Sequence, residues 1–170
     1  ALATLISAAF ASYLANRPLD YSRIEVAKVI DGDTIELKNG KLVRYIGIDC
    51  PETRKKTEKG WVKEADPYGE EAKEFNEQLV SGKVLRCEPD VQKQDKYNRL
   101  LLYCFVKTQG KEELVQEKIL KEGLAYLYTF PPNVKYIDLL VNALNEAREN
   151  RSGVWSQDLL ISSGEAINFI

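Results

Sequence analysis

The feature that most constrains the fold of this chain is a run of short apolar segments separated by tight-turn dipeptides. Ile24–Ile30 partly alternates between apolar and polar residues and leads into Asp31-Gly32. The strand-like segment Thr34–Leu37 leads into Asn39-Gly40 in the same way. Both dipeptides favour hairpin turns, because glycine tolerates positive φ angles. Lys41–Ile48 follows as a third strand, so this half of the chain is predicted to be a β-meander.

The rest of the chain alternates between helical and strand-like patterns. Ala72, Phe75 and Leu79 have the spacing of one helical face. The predicted later elements are a helix at Gly69–Val80, strands at Val84–Cys87 and Leu100–Val106, a helix at Glu113–Glu122 ended by Gly123, a strand at Leu124–Tyr128 and a helix at Ile137–Arg151. We therefore expect an α+β fold that is mainly a β barrel: a five-stranded oligonucleotide/oligosaccharide-binding (OB) barrel with about three helices packed on it.

The 170 residues fit one domain, which we place at residues 23–157, with extensions at 1–22 and 158–170. Ala1–Ala15 is apolar but shorter than the about 20 residues needed to span a bilayer. Two interpretations of this segment stay open. It is either the remnant of an export signal or membrane anchor, or an amphipathic helix packed on the domain.

Composition excludes several kinds of chemistry. The chain has no histidine, which rules out a histidine general base, a histidine-ligated zinc site and Ser–His triads. The formal net charge is −2, so a generally basic nucleic-acid coat protein is also excluded. Cys50, Cys87 and Cys104 lack metal-ligand spacing. Cys87 and Cys104 could face each other across a hairpin as a disulfide, or they could be two buried thiols.

Charged residues stand where three of the predicted strands end. Asp33 and Asp49 could offer two carboxylates, and the Cys50 backbone carbonyl a third oxygen, to a hard divalent cation such as calcium. Each motif alone is commonly no more than turn chemistry. Glu52 could accept a proton, and Arg44 and Arg99 could bind phosphate through their guanidinium groups. With the metal-binding oxygens, these three residues form a set suited to phosphodiester hydrolysis.

From about Val29 to Ser156 the chain resembles the staphylococcal nuclease, or thermonuclease-like, family. The motifs that carry the resemblance, in the family's order, are VIDGDT at 29–34, VR at 43–44, IDCPET at 48–53, YGEEA at 68–72, DKYNR at 95–99, GLA at 123–125, PN at 132–133 and VWS at 154–156. Each motif is weak alone, whereas the ordered set is specific. The resemblance implies an OB barrel and a calcium-dependent endonuclease that cuts DNA and RNA, leaving 3′-phosphate and 5′-hydroxyl ends.

The resemblance also assigns roles to individual residues. It implies that Asp33, Asp49 and the Cys50 carbonyl hold Ca²⁺, with Asp31 acting through water. The residues implied to act on the substrate are Glu52 beside the attacking water, Arg44 and Arg99 on the reacting phosphate, Lys96 and Tyr97 on a neighbouring phosphate, and Tyr128 against a base or sugar. Phe130 and Tyr126 are alternatives to Tyr128.

Three departures from the family pattern affect the expected site. Cys50 stands where threonine is common, and Asn98 replaces a turn glycine, which asparagine tolerates. The loop from Lys55 to Asp66 is longer than the family's reference and carries Trp61, which either stacks on a base or packs on the barrel. The resemblance also leaves an alternative function open: a noncatalytic OB-fold module that binds nucleic acid or protein, although the presence of Asp33, Asp49, Glu52, Arg44 and Arg99 favours catalysis.

Expectations about partners and location follow from the same resemblance. We expect DNA and RNA substrates, with single strands preferred, and a monomer. The apolar N-terminal segment and the usual location of family members together predict a secreted or membrane-anchored protein outside the cytoplasm. The expected membrane tether would run through a segment that precedes residue 1.

Overall fold

The structure is a computed structural model that describes residues 18–57, 60–62 and 66–156. Its strands are β1 (Ile24–Val29), β2 (Thr34–Leu37), β3 (Leu42–Tyr45), β4 (Gly47–Asp49), β5 (Lys55–Thr57), β6 (Gly60–Val62), β7 (Val84–Gln94), β8 (Leu100–Thr108), β9 (Lys111–Leu114) and β10 (Tyr126–Tyr128). Its helices are α1 (Gly69–Val80), α2 (Val115–Lys121), α3 (Ile137–Glu149) and a short 3₁₀ helix, Gly153–Trp155.

Five strands close into a barrel. Strands β1, β2 and β3 form the predicted antiparallel meander, β1 also pairs with β7, and β7 pairs with β8. A parallel pairing of β3 with β8, in which Val43 faces Leu100, completes the ring. Ile35, Leu85 and Leu102 point into the barrel with no exposed surface. The predicted α+β, OB-type barrel with three helices is confirmed.

Helices cover one side of the barrel because their apolar faces complete its core. Ala72 on α1, Ile119 on α2 and Leu140 on α3 are fully buried. Helix α2 packs against both α3 and the barrel. As predicted, Gly123 stands just beyond the end of α2, with a φ of 69°. No helix within the described residues is long and apolar enough to cross a membrane.

The single strand predicted at Lys41–Ile48 is wrong. Strand β3 ends at Tyr45. Gly47 adopts a φ of 89°, and a Cβ atom at this position would lie 2.4 Å from Leu140 Cδ1. Beyond the break, β4 leaves the barrel and pairs with β10 instead. The break depends on packing against α3, which strand periodicity does not reveal.

Three other boundaries also differ from the sequence predictions. Strand β7 continues seven residues beyond Cys87, and the stretch predicted to open a helix at Glu113 belongs to β9, which extends the β8 edge as a hairpin. The segment predicted as a long polar loop contains the short hairpin β5–β6. The Trp61 side chain, residues 1–17 of the predicted N-terminal extension and the whole predicted C-terminal extension at 158–170 lie outside what the structure describes.

Cys87 and Cys104 face each other directly across β7 and β8, and both are buried thiols. The Cys87 N–H donates to the Tyr21 carbonyl at 2.7 Å, and the Cys104 N–H donates to the Gln116 side-chain oxygen at 3.2 Å. Both amides therefore point away from the partner strand, as they do in a non-hydrogen-bonded cross-strand pair. The predicted proximity of Cys87 and Cys104 is confirmed, and no disulfide joins the two thiols.

Candidate active site

A cleft of about 540 Å³ opens where the β1–β2 turn, the end of β4 and the β7–β8 hairpin meet. Its lining residues are Asp31, Asp33, Arg44, Asp49, Glu52, Gln92, Asp95, Lys96, Tyr97, Arg99 and Tyr128. The structure thus brings together every site residue proposed from the sequence except Cys50, which is buried beside Asp33. These residues come from four separate stretches of the chain, and the barrel is what makes them neighbours.

Arg44 joins the two aspartates that were expected to hold a metal. Its Nη1 contacts Asp33 Oδ2, and its Nη2 donates to Asp49 Oδ1 at 2.5 Å. Asp33 is only 5% exposed and accepts two further bonds, from the Cys50 N–H at 2.8 Å and the Thr34 hydroxyl at 3.0 Å. The orientation of the Asp33 carboxylate is therefore fixed by three neighbouring groups rather than by one ion pair.

Electrostatics in the cleft favour the binding of a cation. Five carboxylates line it against three basic side chains. Burial raises the pKa of Asp33 to about 7, although the Arg44 guanidinium favours its charged form. Burial and the neighbouring acids Asp31 and Asp49 also raise the pKa of Glu52. A cation placed among these acids would lower their pKa values, because opposite charge favours the ionised form.

The donor atoms fit a hard cation in type. Asp33 and Asp49 offer carboxylate oxygens, which calcium and magnesium prefer. Across the described ranges, no three acidic, cysteine or histidine side chains form a ready metal cluster. The remaining ligands of an ion at this site would therefore be main-chain oxygens, as proposed for Cys50, and water.

Two glycines hold the segment that carries Glu52. A Cβ atom on Gly32 would lie 2.6 Å from Cys50 Cβ, and one on Gly69 would lie 2.5 Å from the Glu52 carbonyl oxygen. The Glu52 carbonyl also accepts the Asp66 N–H at 2.8 Å. Asp31-Gly32 lies in the β1–β2 hairpin turn as predicted, but Gly32 is not in the positive-φ region, so the reason given for glycine at this position is wrong. The position requires glycine because Cys50 packs directly against it.

Asp95 organises the tip of the β7–β8 hairpin, a role that sequence reasoning missed. Its carboxylate accepts the Tyr97 N–H and the Arg99 N–H, both at 2.9 Å, and pairs with Arg99 Nε at 2.7 Å. Asn98 takes a φ of 63°, the conformation expected where it replaces glycine. An aspartate at the start of a polar turn, four residues before an arginine, was the available signal.

Aromatic side chains stand at the mouth of the cleft. Tyr97 is 67% exposed and Tyr128 is 53% exposed. Tyr128 and Phe130 are in edge-to-face contact, with ring centroids 4.6 Å apart, and line an adjoining cavity of about 230 Å³. Tyr126 instead packs on Trp155 at 5.6 Å and lines neither cavity. Of the three aromatic alternatives, Tyr128 is the one that lines the cleft, with Phe130 beside it.

Asn133 was also missed as a residue that positions this wall. Its side chain accepts the Gln92 N–H at 2.8 Å and donates to the Gln92 carbonyl at 2.9 Å. This pair of bonds fastens the Phe130–Asn133 loop to β7. The sequence offers no signal for the pairing, because its partner is backbone from a distant strand.

The model of the family described as "Staphylococcal nuclease homologue" matches residues 42–157. The chain belongs to this family. Among curated relatives, it is 42% identical over 139 residues to Endonuclease YncB of Bacillus subtilis, covering 79% of this chain and 62% of that protein. It is 41% identical over 140 residues to the SPbeta prophage-derived endonuclease YokF of the same organism, covering 79% and 44%.

A third member of the staphylococcal nuclease family, the Thermonuclease of Staphylococcus hyicus, is 38% identical over 135 residues, covering 78% of this chain and 75% of that protein. The chain thus spans only 44% and 62% of the length of the two Bacillus relatives. The family match begins at residue 42 and includes Arg44, Asp49, Glu52 and Arg99. Asp33 enters the site from the β1–β2 turn, which precedes the matched region.

Proposed function

We propose that this chain is an endonuclease that hydrolyses phosphodiester bonds of DNA and RNA in a calcium-dependent reaction. The observation that carries the proposal is the convergence of Asp33, Asp49, Arg44, Glu52 and Arg99 on one open cleft. The names of the relatives agree with a nuclease. A noncatalytic member of the family would not need all five groups in one place.

In this proposal, Asp33, Asp49 and the Cys50 carbonyl hold Ca²⁺. A bound ion would supply Lewis-acid stabilisation of negative charge on the phosphoryl oxygens. Arg44 already holds both aspartates in place, so the ligands are positioned before any ion arrives. Such preorganisation avoids the cost of ordering flexible side chains on binding.

Glu52 acts as the proton acceptor for the attacking water. Its raised pKa, caused by burial and by Asp31 and Asp49, makes it a stronger base than an ordinary surface glutamate. The expected product ends are a 3′-phosphate and a 5′-hydroxyl, which require the 5′ oxygen to leave with a proton. Among the described residues that line the cleft, the side chains able to exchange that proton are carboxylates, lysine, tyrosine and arginine.

Arg44 and Arg99 stabilise the charge that builds on the phosphoryl group. Arg99 is oriented through its Nε by Asp95, which leaves its two terminal nitrogens for the substrate. A guanidinium held in this way pairs with two phosphate oxygens at once. Arg44 adds positive charge from the barrel wall, where its two terminal nitrogens each contact an aspartate.

Lys96 and Tyr97 would contact a neighbouring phosphate, and Tyr128 would contact a base or sugar. Exposed aromatic rings bind unpaired bases by stacking, which a duplex does not allow. Single-stranded DNA and RNA are therefore the preferred substrates in this proposal. An acidic protein of net charge −2 gains little from general attraction to a duplex.

The test is a cleavage assay on single-stranded DNA and RNA with calcium, with magnesium and with a chelator. We expect internal cleavage with calcium and none with the chelator. Each newly formed 5′ end should carry a hydroxyl, which a kinase can phosphorylate. Binding of the substrate without cleavage in ample calcium would favour the noncatalytic module instead.

A further inference from the structure

A second groove, of about 500 Å³, continues from the cleft past Asp31 and Glu52. These two acids line both cavities. Beyond them, the groove carries three basic side chains, Lys28, Arg54 and Lys73, which come from β1, the segment after Glu52 and α1. None of its lining residues belongs to the β7–β8 hairpin that carries Lys96 and Tyr97.

The basic side chains of this groove are available to bind an anion. Within residues 18–57, 60–62 and 66–156, neither Arg54 nor Lys73 forms an ion pair. Lys28 pairs with Glu36 at 2.9 Å, but the lysine side chain is 61% exposed. Exposed pairs of this kind contribute little and exchange partners readily. The site described above uses none of these three residues.

An endonuclease needs a path for the strand on both sides of the bond it cuts. The β7–β8 hairpin and Tyr128 account for one side of the cleft. On the other side, a strand passing Glu52 enters the basic groove, because Asp31 and Glu52 form the boundary between the two cavities.

We propose that the intact nucleic-acid strand leaves the cleft through the groove of Lys28, Arg54 and Lys73. Arg54 and Lys73 bind backbone phosphates beyond the scissile bond, and Lys28 extends this contact. The inference rests on the proposed nuclease function and adds a binding surface to it. Because the contacts are to phosphate, they make binding depend on the length of the strand and on salt concentration rather than on base identity.

The test compares the double variant Arg54→Ala/Lys73→Ala with a matched control, Lys107→Ala/Lys111→Ala. The control removes two exposed lysines from the β8–β9 hairpin, which lines neither cavity. Binding of a single-stranded DNA of about 12 nucleotides is measured by fluorescence anisotropy against salt concentration, without divalent cation so that it is not cut. Cleavage of the same DNA and of a trinucleotide is then measured with calcium.

Loss of two phosphate contacts should reduce the slope of log K against log salt by about 1.4, since each contact to a single strand contributes about 0.7. The groove variant should also lose the kcat/KM advantage of the longer DNA over the trinucleotide, while the control keeps both. The charge-preserving variant Arg54→Lys/Lys73→Arg should retain the wild-type slope.

An unchanged slope in the groove variant, or an equal fall in both variants, would overturn the inference. Neither result would affect the proposed function, which depends on cleavage by the wild-type protein. If the wild-type protein does not cut either substrate, the proposed function fails first.

Discussion

Replacing Gly69 with alanine tests whether the start of α1 positions Glu52. Helix propensity predicts that the change stabilises the protein by up to about 1 kcal/mol, because glycine is a poor helix former. The structure predicts the opposite. The new Cβ would lie 2.5 Å from the Glu52 carbonyl oxygen, whereas ordinary contact begins at 3.4 Å, so the backbone must move by roughly 0.9 Å.

Overpacking of this kind costs about 1–3 kcal/mol of unfolding free energy. A displacement of about 1 Å at a catalytic group lowers turnover by roughly 10²-fold. We therefore expect Gly69→Ala to lower both the free energy of unfolding, measured in urea, and kcat on single-stranded DNA. KM should change less, since the phosphate-binding hairpin is not touched.

Glu71→Ala, an exposed change in the same helix, is the matched control and should leave stability and kcat close to wild type. Wild-type kcat in Gly69→Ala, or a gain in stability, would refute the view that this contact holds Glu52 in place.

Three other predictions address the β7–β8 hairpin, the contacts of Glu88 with Lys135 and Tyr136, and the cysteines. Arg99→Gly should slow turnover by roughly 10²-fold or more, as loss of one transition-state donor does; near-normal kcat would remove Arg99 from the phosphate clamp. Burial raises the pKa of Glu88, but hydrogen bonds from Tyr136 and Lys135 outweigh it, so the pKa lies below the ordinary 4.5. The resulting stability is complete above pH 4.5 and lost as pH falls below it, so Glu88→Gln should flatten the acid limb of Tm against pH. Non-hydrogen-bonded pairs place Cα atoms about 4.5 Å apart, which is within the range that a disulfide can bridge. Partial unfolding with oxidised glutathione should therefore join Cys87 to Cys104 and leave Cys50 free. Peptide mass spectrometry that shows any other pairing would contradict this register.

Local sequence was enough to predict the parts of the fold that depend on neighbouring residues. Turn dipeptides and apolar alternation located β1 to β3, and helical spacing located α1 and α3 to within two residues. The site residues were found because the motifs that carry them are short and contiguous, such as Asp95–Arg99. The barrel then brings these motifs together, which the ordered resemblance had implied.

Features that depend on distant contacts were not predictable in this way. The break at Gly47 is set by Leu140 from α3, and the need for glycine at positions 32 and 69 is set by the backbone and side chains of the Cys50–Glu52 segment. Asn133 acts through the backbone of Gln92. The location outside the cytoplasm, the N-terminal tether, the monomeric state and the domain limits at 23–157 stay predictions.

The central claim is that Asp33 and Asp49, which β2 and β3 separate in the sequence, form one site for a hard cation. Calorimetric titration of the metal-free protein with calcium tests it most directly. We expect one site per wild-type chain, at least roughly tenfold weaker binding in Asp49→Asn, and wild-type affinity in Asp138→Asn, which removes an acid of α3 that does not line the cleft. Equal calcium affinity in wild type and Asp49→Asn would contradict the account.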